Sequence, residues 1–109
     1  ILVLGLTFKE DCPDLRNSRV IDVVNEFAGL GMQVDVFDPW ADPDQAQRAY
    51  NITLTSQPDN NSYDAIVVTV AHSDFKILGA AEIRKWGKAN HVLFDIKGTL
   101  AGDAVDGRL

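Results

Sequence analysis

The sequence predicts an α/β domain, a parallel five-stranded sheet with helices on both faces. Three observations lead there. Two short apolar runs, residues 1–6 (ILVLGL) and 64–70 (DAIVVTV), read as strands buried on both sides. Around them, segments of helical spacing alternate with segments of strand character, the rhythm of parallel strands joined by right-handed crossovers. The first apolar run also breaks into a charged loop, with Lys9, Glu10, Asp11, Asp14 and Arg16 ahead of a helical pattern. Strand, charged loop, helix is the layout of a ligand-binding edge in an open sheet. Such a loop is costly unless its charges meet water or a charged ligand.

Residues 1–6 make the first and central strand, since neither face is polar. Asn17 or Ser18 is placed to cap the next helix, which runs to about Leu30. Its apolar positions Val20, Ile21, Val23, Val24, Phe27 and Leu30 share one face, and Gly29 and Gly31 supply the stop. Residues 33–38 (QVDVFD) alternate and end at Pro39, which cannot continue a central ladder. Asp42 or Asp44 opens a short helix through Tyr50. Residues 52–55 read as a short edge strand and 56–63 as a polar turn. After the buried strand 64–70, residues 71–75 (AHSDF) form a loop. Residues 80–88 read as a helix with Ile83 and Trp86 on its apolar side, and 91–96 (HVLFDI) as the last strand. Residues 97–109 carry three glycines and little apolar periodicity, so loop or frayed tail is expected.

Five strands in this rhythm give a Rossmann-like three-layer sandwich of order 3-2-1-4-5, with its switch point between the first and fourth strands. Loops 7–18 and 71–76 then flank one crevice at the carboxyl edge, and Lys97 leaves the fifth strand at the same edge. Lys9, Arg16, His72 and Lys97 converge there.

The whole chain sets limits on function. At 109 residues, 46% hydrophobic and 24% charged, it is a single domain with a real core. A net charge of −6 with no basic tract argues against a nucleic-acid binder. Local cations still suffice to hold an anionic ligand. The single cysteine, Cys12, allows no internal disulfide and no cysteine metal cluster, which fits a reducing cytoplasm. No apolar run approaches a membrane span, and no signal peptide is expected. The chain starts with Ile inside a strand, which reads as a domain excised from a longer protein. It contains no G-x-G-x-x-G, P-loop lysine or G-x-S-x-G.

Several residues are candidates for chemistry. A lysine at the end of a central strand, as Lys9 is, suits a phosphate or sugar hydroxyl; the ordinary alternative is a solvated loop lysine. The Arg16 fork, beside a helix start, fits a diphosphate or pairs with Asp11 or Asp14. Asp11 and Asp14 read as loop-ordering acids. Beside such acids the Cys12 thiol gains no activation as a nucleophile. His72 follows a buried strand and is more commonly a hydrogen-bonding residue than a catalyst. His91 begins a different strand, so two histidines make no metal site.

The run Gly5-Leu6-Thr7-Phe8-Lys9, followed by Asp11, Asp14, Arg16 and Ser18, resembles the start of the C-terminal, nucleotide-sugar-binding domain of the UDP-glucose/GDP-mannose 6-dehydrogenase family. The subgroup most resembled oxidises UDP-N-acetylhexosamines for bacterial surface polysaccharides. The resemblance is densest in residues 1–39, with weaker echoes at 64–75 and 91–98. It implies that Phe8, Lys9 and Lys97 contact the UDP-sugar, with some family members carrying Arg at the Lys97 position. It places the His72 loop near the substrate, so His72 is expected among the substrate-binding residues, and it sets Arg16 against the diphosphate of NAD held mainly by an N-terminal domain. It implies a central helical domain, a homo-oligomer, and a cysteine nucleophile in a glycine-rich segment outside this sequence. No catalytic residue is then expected in this domain, which binds and does not catalyse. Two other readings remain: a receiver-like or nucleotide-sensing module, and a structural domain whose loop charges pair among themselves.

Overall fold

A computed structural model describes residues 1–109. The strands are β1 (Leu2–Leu4), β2 (Asp35–Phe37), β3 (Tyr63–Val68), β4 (Gly87–Asp95) and β5 (Gly107–Arg108). The helices are α1 (Val20–Gly29), α2 (Pro43–Tyr50) and α3 (Ser73–Arg84), with one 3-10 turn at Gly102–Ala104. All pairings are parallel, in the order β2-β1-β3-β4-β5. β1 lies between β2 and β3, with Leu2 opposite both Asp35 and Ile66.

Side-chain alternation on β1 divides the core in two. Leu2 and Leu4 join a cluster with Ile66, Phe75, Ile83 and Leu93 under α3. Val3 points the other way, into a cluster with Val20, Val24, Val36 and Ala46 under α1 and α2. Each fully buried Leu or Ile contributes about 1.5–3 kcal/mol relative to exposure, so this central strand anchors both layers. The expected three-layer sandwich is the observed one, and the stated strand order is equivalent to that observed.

Individual elements depart from expectation for identifiable reasons. The edge strand expected at 52–55 is reduced to a bridge between Leu54 and Val36, closed by the Thr55 amide donating to the Val36 carbonyl at 2.8 Å. Helix α1 starts at Val20 with Arg19 at its N-cap and no side-chain cap. Ser18 does not cap because its hydroxyl donates to the buried Leu6 carbonyl at 2.5 Å, and Asn17 is left-handed at φ 61°. Asp42 caps α2, accepting from the Asp44 amide at 3.0 Å.

Helix α3 begins at Ser73, inside the expected loop, and breaks at Gly79, whose φ 77° and ψ 165° are non-helical. Its second segment ends at Arg84, short of the expected Lys88, because Gly87–Asn90 enter β4 through an irregularity opposite Tyr63 and Ala65. The tail is not frayed. β5 pairs with β4 at Phe94↔Gly107, and Gly107 permits this because a Cβ there would lie 2.7 Å from the Phe94 ring. Arg84 secures the tail by donating to the Ala104 carbonyl at 3.0 Å and to Asp106 at 3.1 Å.

Candidate functional site

The carboxyl ends of β1, β3 and β4 open onto one cleft of about 370 Å³. The loop after β1 supplies Thr7, Phe8, Lys9 and Glu10 to it, and α1 supplies Arg19, Val20 and Val23. Thr69, Val70 and Ala71 come from the end of β3, Ile96 and Lys97 from the end of β4. Val20, Val23, Val70 and Ile96 make an apolar wall. Three cations, Lys9, Arg19 and Lys97, face the single carboxylate of Glu10 in this lining. A chain of net charge −6 thus concentrates positive charge at its sheet switch point.

The backbone of this region is tightly specified. Gly5 turns the chain out of β1 at φ 107°, and a Cβ there would sit 2.6 Å from Val70 Cβ; no other residue fits both demands. Thr69 Oγ1 donates into the same corner, 2.6 Å from the Gly5 carbonyl and 2.9 Å from that of Leu4. The Phe8 amide donates to the Asp14 carbonyl at 2.7 Å, closing the loop. Phe8 is 54% exposed, an unusual placement for an aromatic side chain over an open cleft. At the other rim, buried Asp95 accepts from the amides of Lys97 at 3.2 Å and Leu100 at 2.8 Å, fixing the turn that presents Lys97.

A buried carboxylate joins three of these loops. Asp38, just past β2, accepts at Oδ2 from the amides of Leu6 at 2.6 Å and Thr7 at 3.0 Å. Its Oδ1 accepts from the Trp40 amide at 2.8 Å. His72 Nε2 also lies 3.0 Å from Oδ2. His72 Nδ1 accepts from the Asp11 amide at 2.9 Å, so the ring proton sits on Nε2 and points at Asp38. Burial opposes ionisation of Asp38, but the His72 hydrogen bond and the Leu6 and Thr7 amides outweigh it and hold its pKa below the ordinary 3.8. Asp11, left-handed at φ 53°, accepts from the Ser73 amide and hydroxyl, which lower its pKa.

The cleft thus brings together Phe8, Lys9 and Lys97 of the residues singled out in the sequence. His72 corrects the expectation of substrate contact: its side chain is 0% exposed and does not line the cleft. Both ring nitrogens are spent on internal partners, so its place is behind the binding surface. Arg16 also lies outside the lining. It forms a two-point pair with Asp14, Nε to Oδ1 at 3.0 Å and Nη2 to Oδ2 at 3.1 Å, which lowers the Asp14 pKa and raises that of Arg16. The arginine side chain remains 82% exposed and Nη1 is not used in that pair. Half-buried Cys12 is a free thiol away from the cleft lining.

Two contributors were not singled out in the sequence. Arg19 lines the cleft, and its one ion-pair partner, Asp22, stands 4.0 Å away. Its signal was its position, directly after the expected caps and at the mouth of the helix. Asp38 read only as a strand terminator. An acid ending a strand next to the central one is placed to collect loop amides, and that cue was available.

The family model for the UDP-glucose/GDP-mannose dehydrogenase family, UDP binding domain, matches residues 2–102. The chain belongs to this family. Among curated relatives of this UDP-binding domain family, the chain is 53% identical over its full length to a UDP-N-acetyl-D-glucosamine 6-dehydrogenase of Pseudomonas aeruginosa. It is 48% identical, again over its full length, to one of Salmonella typhi. The chain spans 26% of the length of each of these relatives. Its fold is shared with the UDP-N-acetyl-mannosamine dehydrogenase Cap5O from S. aureus at a TM-score of 0.73 and 22% identity, covering 98% of this chain and 24% of that one. Family membership sets aside the receiver-like and purely structural readings. No helix is long and apolar enough to cross a membrane.

Proposed function

We propose that the cleft binds the diphosphate and sugar of a UDP-sugar, with Lys9, Lys97 and Phe8 as principal contacts. The observation that carries this reading is the gathering of Lys9, Arg19 and Lys97 around an apolar wall at the switch point. Cations there suit the diphosphate, and apolar side chains suit the faces of a base or a sugar ring.

The longer polypeptide carrying this chain is an NAD-dependent UDP-sugar 6-dehydrogenase, on this reading, with UDP-N-acetylglucosamine as the first candidate substrate. The similarity of this whole chain to one quarter of the Pseudomonas and Salmonella enzymes supports that choice. Oxidising the C6 alcohol to a carboxylate removes two hydrides, the chemistry NAD supplies when bound. This chain's share is to hold and orient the sugar nucleotide, which lowers the entropic part of the barrier. Arg16 is suited to the cofactor diphosphate: its guanidinium is exposed, pre-aligned by Asp14, and close in sequence to a helix start with no side-chain cap. The other domains hold most of the cofactor and supply the nucleophile. The enzyme is cytoplasmic and oligomeric.

Calorimetric titration with UDP, UDP-N-acetylglucosamine and NAD at low and moderate salt tests the reading. Salt-sensitive binding of both UDP ligands, weakened in Lys9→Ala, is the expected result. Absence of UDP binding by the full polypeptide would overturn it.

A further inference from the structure

We infer that Asp38 and His72 are positioning residues that set Lys9 and Phe8 against the bound nucleotide sugar; this rests on the reading of the cleft proposed above. Neither side chain reaches the cleft, and both are 0% exposed. Yet the backbone ties around Lys9 lead back to them. The Leu6 and Thr7 amides, which set the chain as it enters the loop, end on Asp38 Oδ2 at 2.6 and 3.0 Å. Two residues beyond Lys9, the Asp11 amide ends on His72 Nδ1 at 2.9 Å. Between these anchors, Thr7 Oγ1 donates to the Lys9 carbonyl at 3.1 Å while lying 3.1 Å from His72 Nε2. The loop that displays the ammonium is thus held on both sides by one buried pair.

A merely cohesive role explains this arrangement less well. Placing a carboxylate and an imidazole in the core carries a desolvation cost, and apolar side chains of similar volume close a core at least as well. The surroundings include ready apolar neighbours: the Phe75 ring centroid is 5.6 Å from that of His72, and the Trp40 indole stacks on the imidazole at 6.1 Å. What a hydrophobic pair cannot supply is a fixed acceptor for amides on either side of Lys9. The imidazole supplies both features at once, a donor toward Asp38 and an acceptor toward Asp11.

The test is a double-mutant cycle on the full polypeptide that carries this chain, read as calorimetric affinity for UDP-N-acetylglucosamine and, separately, for NAD. His72→Phe keeps an aromatic ring, somewhat larger, and removes both hydrogen bonds; His72→Gln keeps one donor and one acceptor. The expected result is a roughly tenfold loss of UDP-sugar affinity in His72→Phe, from unsatisfied loop amides. NAD affinity stays unchanged, and His72→Gln recovers most of the loss. In a Lys9→Ala background, His72→Phe costs clearly less than it does in the wild type, because much of its effect passes through that lysine and only the Phe8 share remains. Additive losses, an equal loss for NAD, or undiminished UDP-sugar binding in His72→Phe would overturn the inference while leaving the cleft assignment intact. A wild-type protein with no UDP affinity overturns both. Should His72→Phe not fold, near-isosteric Thr7→Val enters the same cycle, since it cuts the tie between the pair and the Lys9 carbonyl.

Discussion

Gly5 and Val70 meet at the corner where two neighbouring strands end: a methyl group on Gly5 would lie 2.6 Å from Val70 Cβ. The glycine also holds φ at 107°, a conformation that L side chains rarely adopt. Gly5→Ala therefore suffers twice, from overpacking and from backbone strain, and should lose about 3 kcal/mol of stability. Chemical denaturation with an unchanged m-value would confirm a local cause.

Lys9→Ala and Lys97→Ala should each weaken UDP binding by roughly 10- to 100-fold, the range for losing a hydrogen bond to a charged group. The salt dependence should flatten in both variants, because fewer exposed charges remain to be screened. Thermal stability should barely change, since both side chains project into solvent. Calorimetry at two ionic strengths checks affinity and screening together.

The acid limb of the stability curve carries the signature of Asp38. Its folded pKa is depressed below 3.8, so its contribution is complete above the unfolded value and is lost as pH falls through the folded value. Asp38→Asn should cost about 2–4 kcal/mol near neutrality, where the carboxylate accepts from buried amides. The difference from wild type should shrink in acid below the ordinary carboxylate pKa. Urea denaturation across that range measures it.

Arg84→Ala should release the carboxyl-terminal segment. The guanidinium ties the Ala104 carbonyl and Asp106, and it meets His91 Nε2 at 3.0 Å. His91 Nδ1 points at the Lys88 carbonyl at 2.6 Å, so its proton sits there and Nε2 is free to accept. Limited proteolysis should cut beyond Thr99 roughly tenfold faster in the variant, reporting local opening with the main core intact.

Much of the scaffold was legible because it rests on local patterns. The apolar runs 1–6 and 64–70, the three-and-four spacing of α1 and the Asp42 cap are signals contained in a few residues. β5 was not legible because it depends on partners far along the chain: the Leu93 amide donates to Asp106 across 13 residues and Arg84 reaches it across 22. A two-residue strand has no periodicity to read. The helical start at Ser73 was hidden for a similar reason, since Asp11, 62 residues earlier, accepts from its amide. At the candidate site, strand order alone brings Lys9 and Lys97 to one edge, whereas Phe8 enters only through the family resemblance. Strand order could not tell which loop side chains face outward, so His72, whose ring turns inward to Asp38, was placed with them. Arg19 carries no comparable cue, because a residue at a helix mouth shows no direction until the helix is fixed.

The central placement of β1 also shapes how the chain must assemble. Its partners arrive in sequence only at Asp35–Phe37 and Tyr63–Val68. During synthesis β1 therefore emerges before both of its partners and waits longer for them than any other strand of the sheet. Such non-local pairing slows folding and leaves an apolar ribbon open to competing chains. A fragment ending before Tyr63 would keep one edge of Leu2–Leu4 unpaired and is expected to aggregate, whereas one ending after Asp95 has every partner that β1 requires.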